Sequence, residues 1–146
     1  MPLELDMKAY LTRRYMFSAS HRLHCDGLSE SENRTTYGKC NNRHGHGHNY
    51  FLEVTVSGRV DEATGMVCNL VDIDECVRQK ILDRFDHANL NVLPEFAGDV
   101  PTTEVLSVRI FDILKQTFRA AHLEKVRIEE TMLNSFEYAG GREVRI

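Results

Sequence analysis

"HNYFLEVTVSG", residues 48–58, alternates so regularly that it decides how the rest of the chain is read. Tyr50, Leu52, Val54 and Val56 fall on one parity and Asn49, Glu53, Thr55 and Ser57 on the other, with only Phe51 out of step. Alternate residues of an extended strand share a face. The stretch is therefore a strand with one buried and one wetter face.

Working outward, "AYLTRRYMFSASH" (9–21) is an aromatic-rich strand ending at His21, and "KVRIEETMLNSFEYAG" (125–140) reads as a hairpin turning around Leu133 to Ser135. Two helices lie between. Asp72 and Glu75 have capping-box spacing, and Ile73, Val77 and Ile81 then recur at helical intervals until "DRFDH" (83–87). Thr102 or Thr103 is the next N-cap, followed by an apolar stripe of Leu106, Ile110, Ile113 and Leu114. The order of two strands, two helices, two strands predicts an α+β domain over residues 1–146. It has a four-stranded antiparallel sheet and both helices on one face. One polar stretch, "RLHCDGLSESENRTTYGKCNNRHG" (22–45), stays outside these elements, and a loop of that length in a compact domain is functional or disordered.

Composition excludes several function classes. A net charge of −4 argues against nucleic acid as the main partner. Charges run throughout "MPLELDMKAYLTRRYMF" (1–17), which leaves no apolar run of signal-peptide length, and no other segment is long enough to span a membrane. The expectation is a cytoplasmic protein whose four cysteines are reduced thiols.

The chemistry concentrates before the decisive strand, in "KCNNRHGHGHNY" (39–50). His46 and His48 share a face by strand parity, in line with Tyr50 and Leu52, and two imidazoles so placed begin a zinc site. His21 ends the strand expected to pair with this one and supplies a third. Three histidine ligands leave a fourth position open, as catalytic zinc requires. His44 has the same spacing and, with Gly45 and Gly47 loosening the backbone, spacing alone does not exclude it; His46 and His48 are preferred because they adjoin the patterned strand. His24 and His122 read as surface residues.

Cys40, in a polar context six residues before His46, is either a further zinc ligand or a thiolate base whose pKa a nearby metal depresses. Cys68 and Cys76 read as spectator thiols. Inward-facing Val126 and Ile128 put Glu130 on the buried parity and Glu129 on the solvent side. A carboxylate there needs hydrogen bonds or a ligand, and a ligand edge with two N–H donors suits it. Asp86 beside His87 at a helix end is a pair in which the acid can orient the imidazole.

"FSASHRL" (17–23), "GKCNNRHGHGHNY" (38–50), "TGMVCNL" (64–70), "DHANLN" (86–91), "PTTE" (101–104) and "EET" (129–131), in that order, resemble the 6-pyruvoyl-tetrahydropterin synthase family. The resemblance implies the tunnelling fold, in which ββααββ subunits join their sheets into a trimeric barrel and two trimers stack into a hexamer. It implies a small pterin substrate, 7,8-dihydroneopterin triphosphate, bound at a subunit interface and converted to 6-pyruvoyl-tetrahydropterin with loss of triphosphate. Carried over by motif, zinc falls to His21, His46 and His48. Cys40 takes the general-base place with Asp86 and His87 as partners, and Glu130 anchors the pterin with Thr102 and Thr103 near the ring. The family also implies magnesium (Mg2+) beside zinc (Zn2+), without a sequence signature for it here.

Two alternatives remain at this stage. A 6-carboxytetrahydropterin synthase of queuosine biosynthesis shares the fold, metal site and substrate, with its cysteine four residues before the first ligand. Cys40 lies four residues before His44 and six before His46, so the ligand assignment decides the spacing. A pterin-binding scaffold without turnover needs only Glu130 and the threonines, and the presence of Cys40, Asp86 and His87 argues against it.

Overall fold

The computed structural model describes residues 7–141. Its centre is the ladder between β1 (Lys8–His21) and β2 (His46–Arg59), which are antiparallel and in register from Lys8 opposite Arg59 to His21 opposite His46. β4 (His122–Thr131) pairs antiparallel with the other edge of β2, and β5 (Asn134–Tyr138) with β4. These are the four expected strands. The hairpin turns at Met132 and Leu133, slightly earlier than expected.

The sheet nevertheless has five strands and is mixed, which corrects the four-stranded antiparallel expectation. Ala88–Asn89 forms β3, running parallel to β1 opposite Ala19 and Ser20. Two residues carry no readable alternation. They become a strand because the chain leaving a helix passes the unpaired edge of β1, where backbone groups need partners.

The core lies between one sheet face and two helical segments. Phe17, Tyr50, Leu52, Val54, Val56, Val126 and Ile128 of the sheet are buried against Ile73, Val77, Ile81, Phe85, Leu106, Ile110 and Leu114. The first segment runs as α2 (Leu70–Val77), a wider turn over Arg78–Leu82, and α3 (Asp83–Phe85). The second is α4 (Thr103–Thr117), whose stripe of Leu106, Ile110 and Leu114 is fully buried as expected, with Ile113 at its margin. Truncating a core side chain such as Leu52 to Ala costs about 2–5 kcal/mol by the usual transfer and cavity terms.

The capping signals resolve differently. Thr102 caps α4, its hydroxyl accepting from the Val105 N–H at 3.2 Å. The first long helix is capped by Asn69, whose side chain accepts from the Val71 N–H, and the Asp72–Glu75 pair lies inside it. A full capping box occurs instead at Ser29 and Glu32, and it opens α1 (Glu30–Tyr37) within the polar stretch read as a loop. Buried Asn33 ties α1 down, accepting from the Cys25 N–H and donating to the Cys25, Leu28 and Ser29 carbonyls. A tight turn over Gly38–Asn41 follows and returns the chain to β2.

Candidate metal centre and active site

The β1–β2 register brings His21 opposite His46, and strand parity sets His48 on the same face. One ring nitrogen from each of the three histidines lies within 4.8 Å of the others. Nε2 of His21 and Nε2 of His46 are 3.0 Å apart, and the rings stand edge to face. Antiparallel pairing is what makes this possible: strand parity gives two imidazoles, and only the partner strand brings the third.

Buried His21 donates from Nδ1 to the Pro101 carbonyl at 2.8 Å, which fixes the tautomer and turns an unprotonated Nε2 toward its neighbours. Burial pushes the His21 pKa down, outweighing the carbonyl bond, and burial followed by the neighbouring His48 does the same to His46. Neutral imidazoles are the ligating form. Nε2 of His48 is buried with no hydrogen-bond partner among the described residues. The donor set therefore fits a divalent cation that accepts nitrogen ligands, zinc among them. His44 is outside the group; it is exposed, with its backbone N–H bonded to Asn42 Oδ1.

Glu130 lies beside His48 of this cluster. Its Oε1 is 3.8 Å from His48 Nε2, and its Oε2 accepts from the hydroxyl of buried Thr103 at the start of α4. Glu129, one residue earlier, points to the other face and pairs with Arg14 at 3.0 Å. The expected parity holds. An ionised carboxylate offers about four acceptor sites, so Glu130 keeps capacity for a ligand with paired N–H groups.

Cys40 sits half-buried on the Gly38–Asn41 turn, whose position is set by the Leu23 N–H donating to the Cys40 carbonyl at 2.8 Å. Burial and then the negative charge of Glu130 push its thiol up. The polypeptide alone thus favours the thiol, and the expected depression depends on a cation at the three histidines.

The sequence matches the model of the 6-pyruvoyl tetrahydropterin synthase family over residues 10–141. The chain belongs to that family. It is 48% identical over 132 residues to the 6-pyruvoyl tetrahydrobiopterin synthase of Poecilia reticulata, covering 90% of each chain. With the human enzyme of that name it shares 46% over 134 residues, covering 91% of this chain and 92% of that one. Among solved structures, the Caenorhabditis elegans 6-pyruvoyl tetrahydropterin synthase superposes with a TM-score of 0.86 at 42% identity, covering 92% of this chain and 96% of that one.

Not every residue that the family resemblance singles out meets at one point. Asp86 and His87 leave α3 at the edge of the sheet, where Asp86 Oδ1 accepts from the Ser18 N–H at 2.9 Å and lies 3.0 Å from His87 Nδ1. The Ser18 bond, then the His87 contact, hold the Asp86 carboxyl below its usual range. His87 has a left-handed backbone (φ 61°), uncommon for a residue with a Cβ, and its side chain is 83% exposed. Among the described residues neither makes a hydrogen bond to Cys40. The two threonines also divide: Thr103 turns to Glu130, while the Thr102 hydroxyl caps α4. The sequence reading placed Tyr50 only in the apolar core. Its hydroxyl is buried without a partner among the described residues, its ring centroid is 5.4 Å from that of His48, and burial with the Glu130 charge raises its pKa. A tyrosine among aliphatic residues two positions after His48 was the available signal.

Proposed function

We propose that this chain is a zinc-dependent lyase converting 7,8-dihydroneopterin triphosphate to 6-pyruvoyl-tetrahydropterin, with elimination of triphosphate, in tetrahydrobiopterin biosynthesis in the cytoplasm. The observation that carries this reading is the placing of Glu130 and His48 side by side in one recess, 3.8 Å apart. A pterin carries an amino group and a ring N–H on one edge and an oxygen-bearing side chain on the other. Glu130 accepts the paired N–H groups, and the Thr103 hydroxyl holds its second oxygen so that the carboxylate does not rotate away. His21, His46 and His48 would hold the zinc, which when bound polarises the side-chain oxygens and acidifies the adjacent C–H bonds.

The remaining work belongs to side chains. Cys40 takes the carbon-bound proton as thiolate. Asp86 engages Nδ1 of His87 and leaves Nε2 free to return a proton elsewhere. His44 standing outside the cluster puts the first ligand six positions after Cys40, which favours the pyruvoyl product over the carboxy product. Magnesium enters this reading only as the counter-ion of the triphosphate.

The reading includes a hexamer of two stacked trimers, with the site at a subunit interface. Supporting it, β1 pairs only with β2 and two residues of β3 among the described residues, so most of one edge is open, as is the outer edge of β5. Tyr10 and Met16 stand 64% and 55% exposed on the face away from the helices. The exposed His87 lies on that rim.

Product identification tests the activity. Purified protein given dihydroneopterin triphosphate should yield 6-pyruvoyl-tetrahydropterin and inorganic triphosphate by mass spectrometry. The carboxy product would transfer the chain to the queuosine branch, and no product at all would leave a binding scaffold. Sedimentation should show a trimer or hexamer, and a stable monomer would remove the interface site.

A further inference from the structure

The segment read as an unassigned loop builds a second recess beside the metal centre. A cavity of about 610 Å³ is walled by Arg22, Arg34, Lys39 and Arg43, with His24 and a single carboxylate, Glu30. None of the four cations has an ion-pair partner among the described residues. Many cations elsewhere are paired, among them Arg13 with Asp74, Arg14 with Glu129, Arg84 with Glu95, Arg109 with Asp99 and Arg127 with Glu53. In a chain of net charge −4, four uncompensated cations around one concavity create a local positive field in an acidic molecule.

The walls are held in place. Arg22 is clamped by Asn91, which accepts from its N–H at 2.7 Å and donates to its carbonyl at 2.9 Å, and its Nε donates to the Asn41 carbonyl at 3.2 Å. Buried Asn41 donates to the Leu23 carbonyl at 2.7 Å, and Asn33 anchors the helix that carries Arg34. A smaller cavity of about 190 Å³ shares Arg22 and Arg43 with the first and reaches His21. The cationic recess is thus linked to His21 of the metal centre through a smaller cavity that shares two of its residues. Lys39 precedes Cys40 on the same turn.

We infer that this recess is a polyphosphate subsite, with Arg22, Arg34, Lys39 and Arg43 receiving the triphosphate tail of the substrate. The inference rests on the proposed activity for the identity of the ligand and on the recess for its place. Guanidinium forks match phosphate oxygens in pairs, and Lys39 adds a point charge. The anchoring of Arg22 lowers the cost of ordering the site. A triphosphate seated here would be held by cations as the bond to it breaks.

The test uses inorganic triphosphate as probe on the full chain, with Arg34→Ala/Arg43→Ala as the variant and Arg119→Ala as a distant cation control. Calorimetry should show the double variant binding triphosphate about ten- to a hundredfold more weakly, with metal content and circular dichroism unchanged. Wild-type affinity should fall steeply with ionic strength. The KM for dihydroneopterin triphosphate should rise by a similar factor, while the affinity for unphosphorylated dihydroneopterin stays the same. Equal triphosphate affinity in variant and wild type would overturn the subsite. Lost triphosphate binding with an unchanged KM would overturn it too, since the recess would then serve a free anion. Absence of turnover would sink the proposed activity alone, because the calorimetric comparison still decides whether these residues bind polyphosphate.

Discussion

Two carboxylates on the helix-covered face of the same sheet have opposite surroundings. Asp74 takes Nε and a second guanidinium nitrogen of Arg13 at 2.9 and 2.8 Å and the Tyr15 hydroxyl at 2.7 Å. Glu130 takes one hydroxyl, from Thr103, and faces a histidine at 3.8 Å. Asp74 accepts three bonds, which tie α2 to β1. Glu130 is under-used, and near it His48 Nε2 and the Tyr50 hydroxyl are buried without partners among the described residues. Polar groups therefore play two parts here. Bonds made within the protein hold the fold together, and an incomplete set leaves acceptors and donors for a ligand.

That contrast should break most visibly at Cys40. Cys40→Ala removes the proposed base and none of the three clustered histidines, so turnover should fall by roughly a hundredfold to ten-thousandfold while metal analysis and sedimentation stay as in the wild type. Loss of metal in this variant would make Cys40 a fourth ligand and the site structural. Metal content sharpens the same comparison: His48→Ala should empty a site holding about one zinc per chain, and His44→Ala should leave it filled. The reverse result would shift the ligand set by two residues and remove the spacing argument for the pyruvoyl product.

The two carboxylates themselves come next. Glu130→Gln should weaken pterin binding by about ten- to a hundredfold, the range for one charge-assisted hydrogen bond, with little change in melting temperature. Glu129→Gln should leave affinity alone. Similar losses in both would mean that the parity of β4 does not separate ligand from solvent.

Asp74→Asn should do the opposite, lowering stability by about 1 kcal/mol or less without touching affinity, because both partners are more than a third exposed to solvent. The Arg13 bond, then the Tyr15 hydroxyl, hold the Asp74 pKa down to about 2 against an ordinary 3.8. A carboxylate with a depressed folded pKa stabilises above its ordinary value and loses that contribution as pH falls toward the folded one. The stability difference between wild type and variant should hold at neutral pH and close between about pH 4 and 2. A difference that persisted below that window would mean that Asp74 acts through packing rather than charge.

Much of the site was legible because strand parity is a strong local rule. The alternation of residues 48–58 correctly put His46 and His48 on the face of Tyr50 and Leu52, and that of residues 126–130 separated Glu130 from Glu129. Helix capping was less reliable. Ser29–Glu32 and Asp72–Glu75 have the same spacing, yet only the first is a capping box, because Asn69 starts the second helix a turn earlier. α1 lacks an apolar stripe and is held by Asn33 bonds to its own neighbourhood, so hydrophobic periodicity passed over it.

The sequence by itself determined the long strands, the core stripes of the two main helices, and the residue types able to ligate a metal. Each of those follows from periodicity within one segment. Tertiary structure alone decided that His21 meets His46, that Pro101 fixes the His21 tautomer, and that Thr103 seats Glu130. It also decided that Arg13 belongs to Asp74, while Arg22, Arg34, Lys39 and Arg43 line one cavity. Those contacts join residues far apart in the chain, and they form only when the sheet register and the helix docking bring distant segments together, which no local pattern encodes.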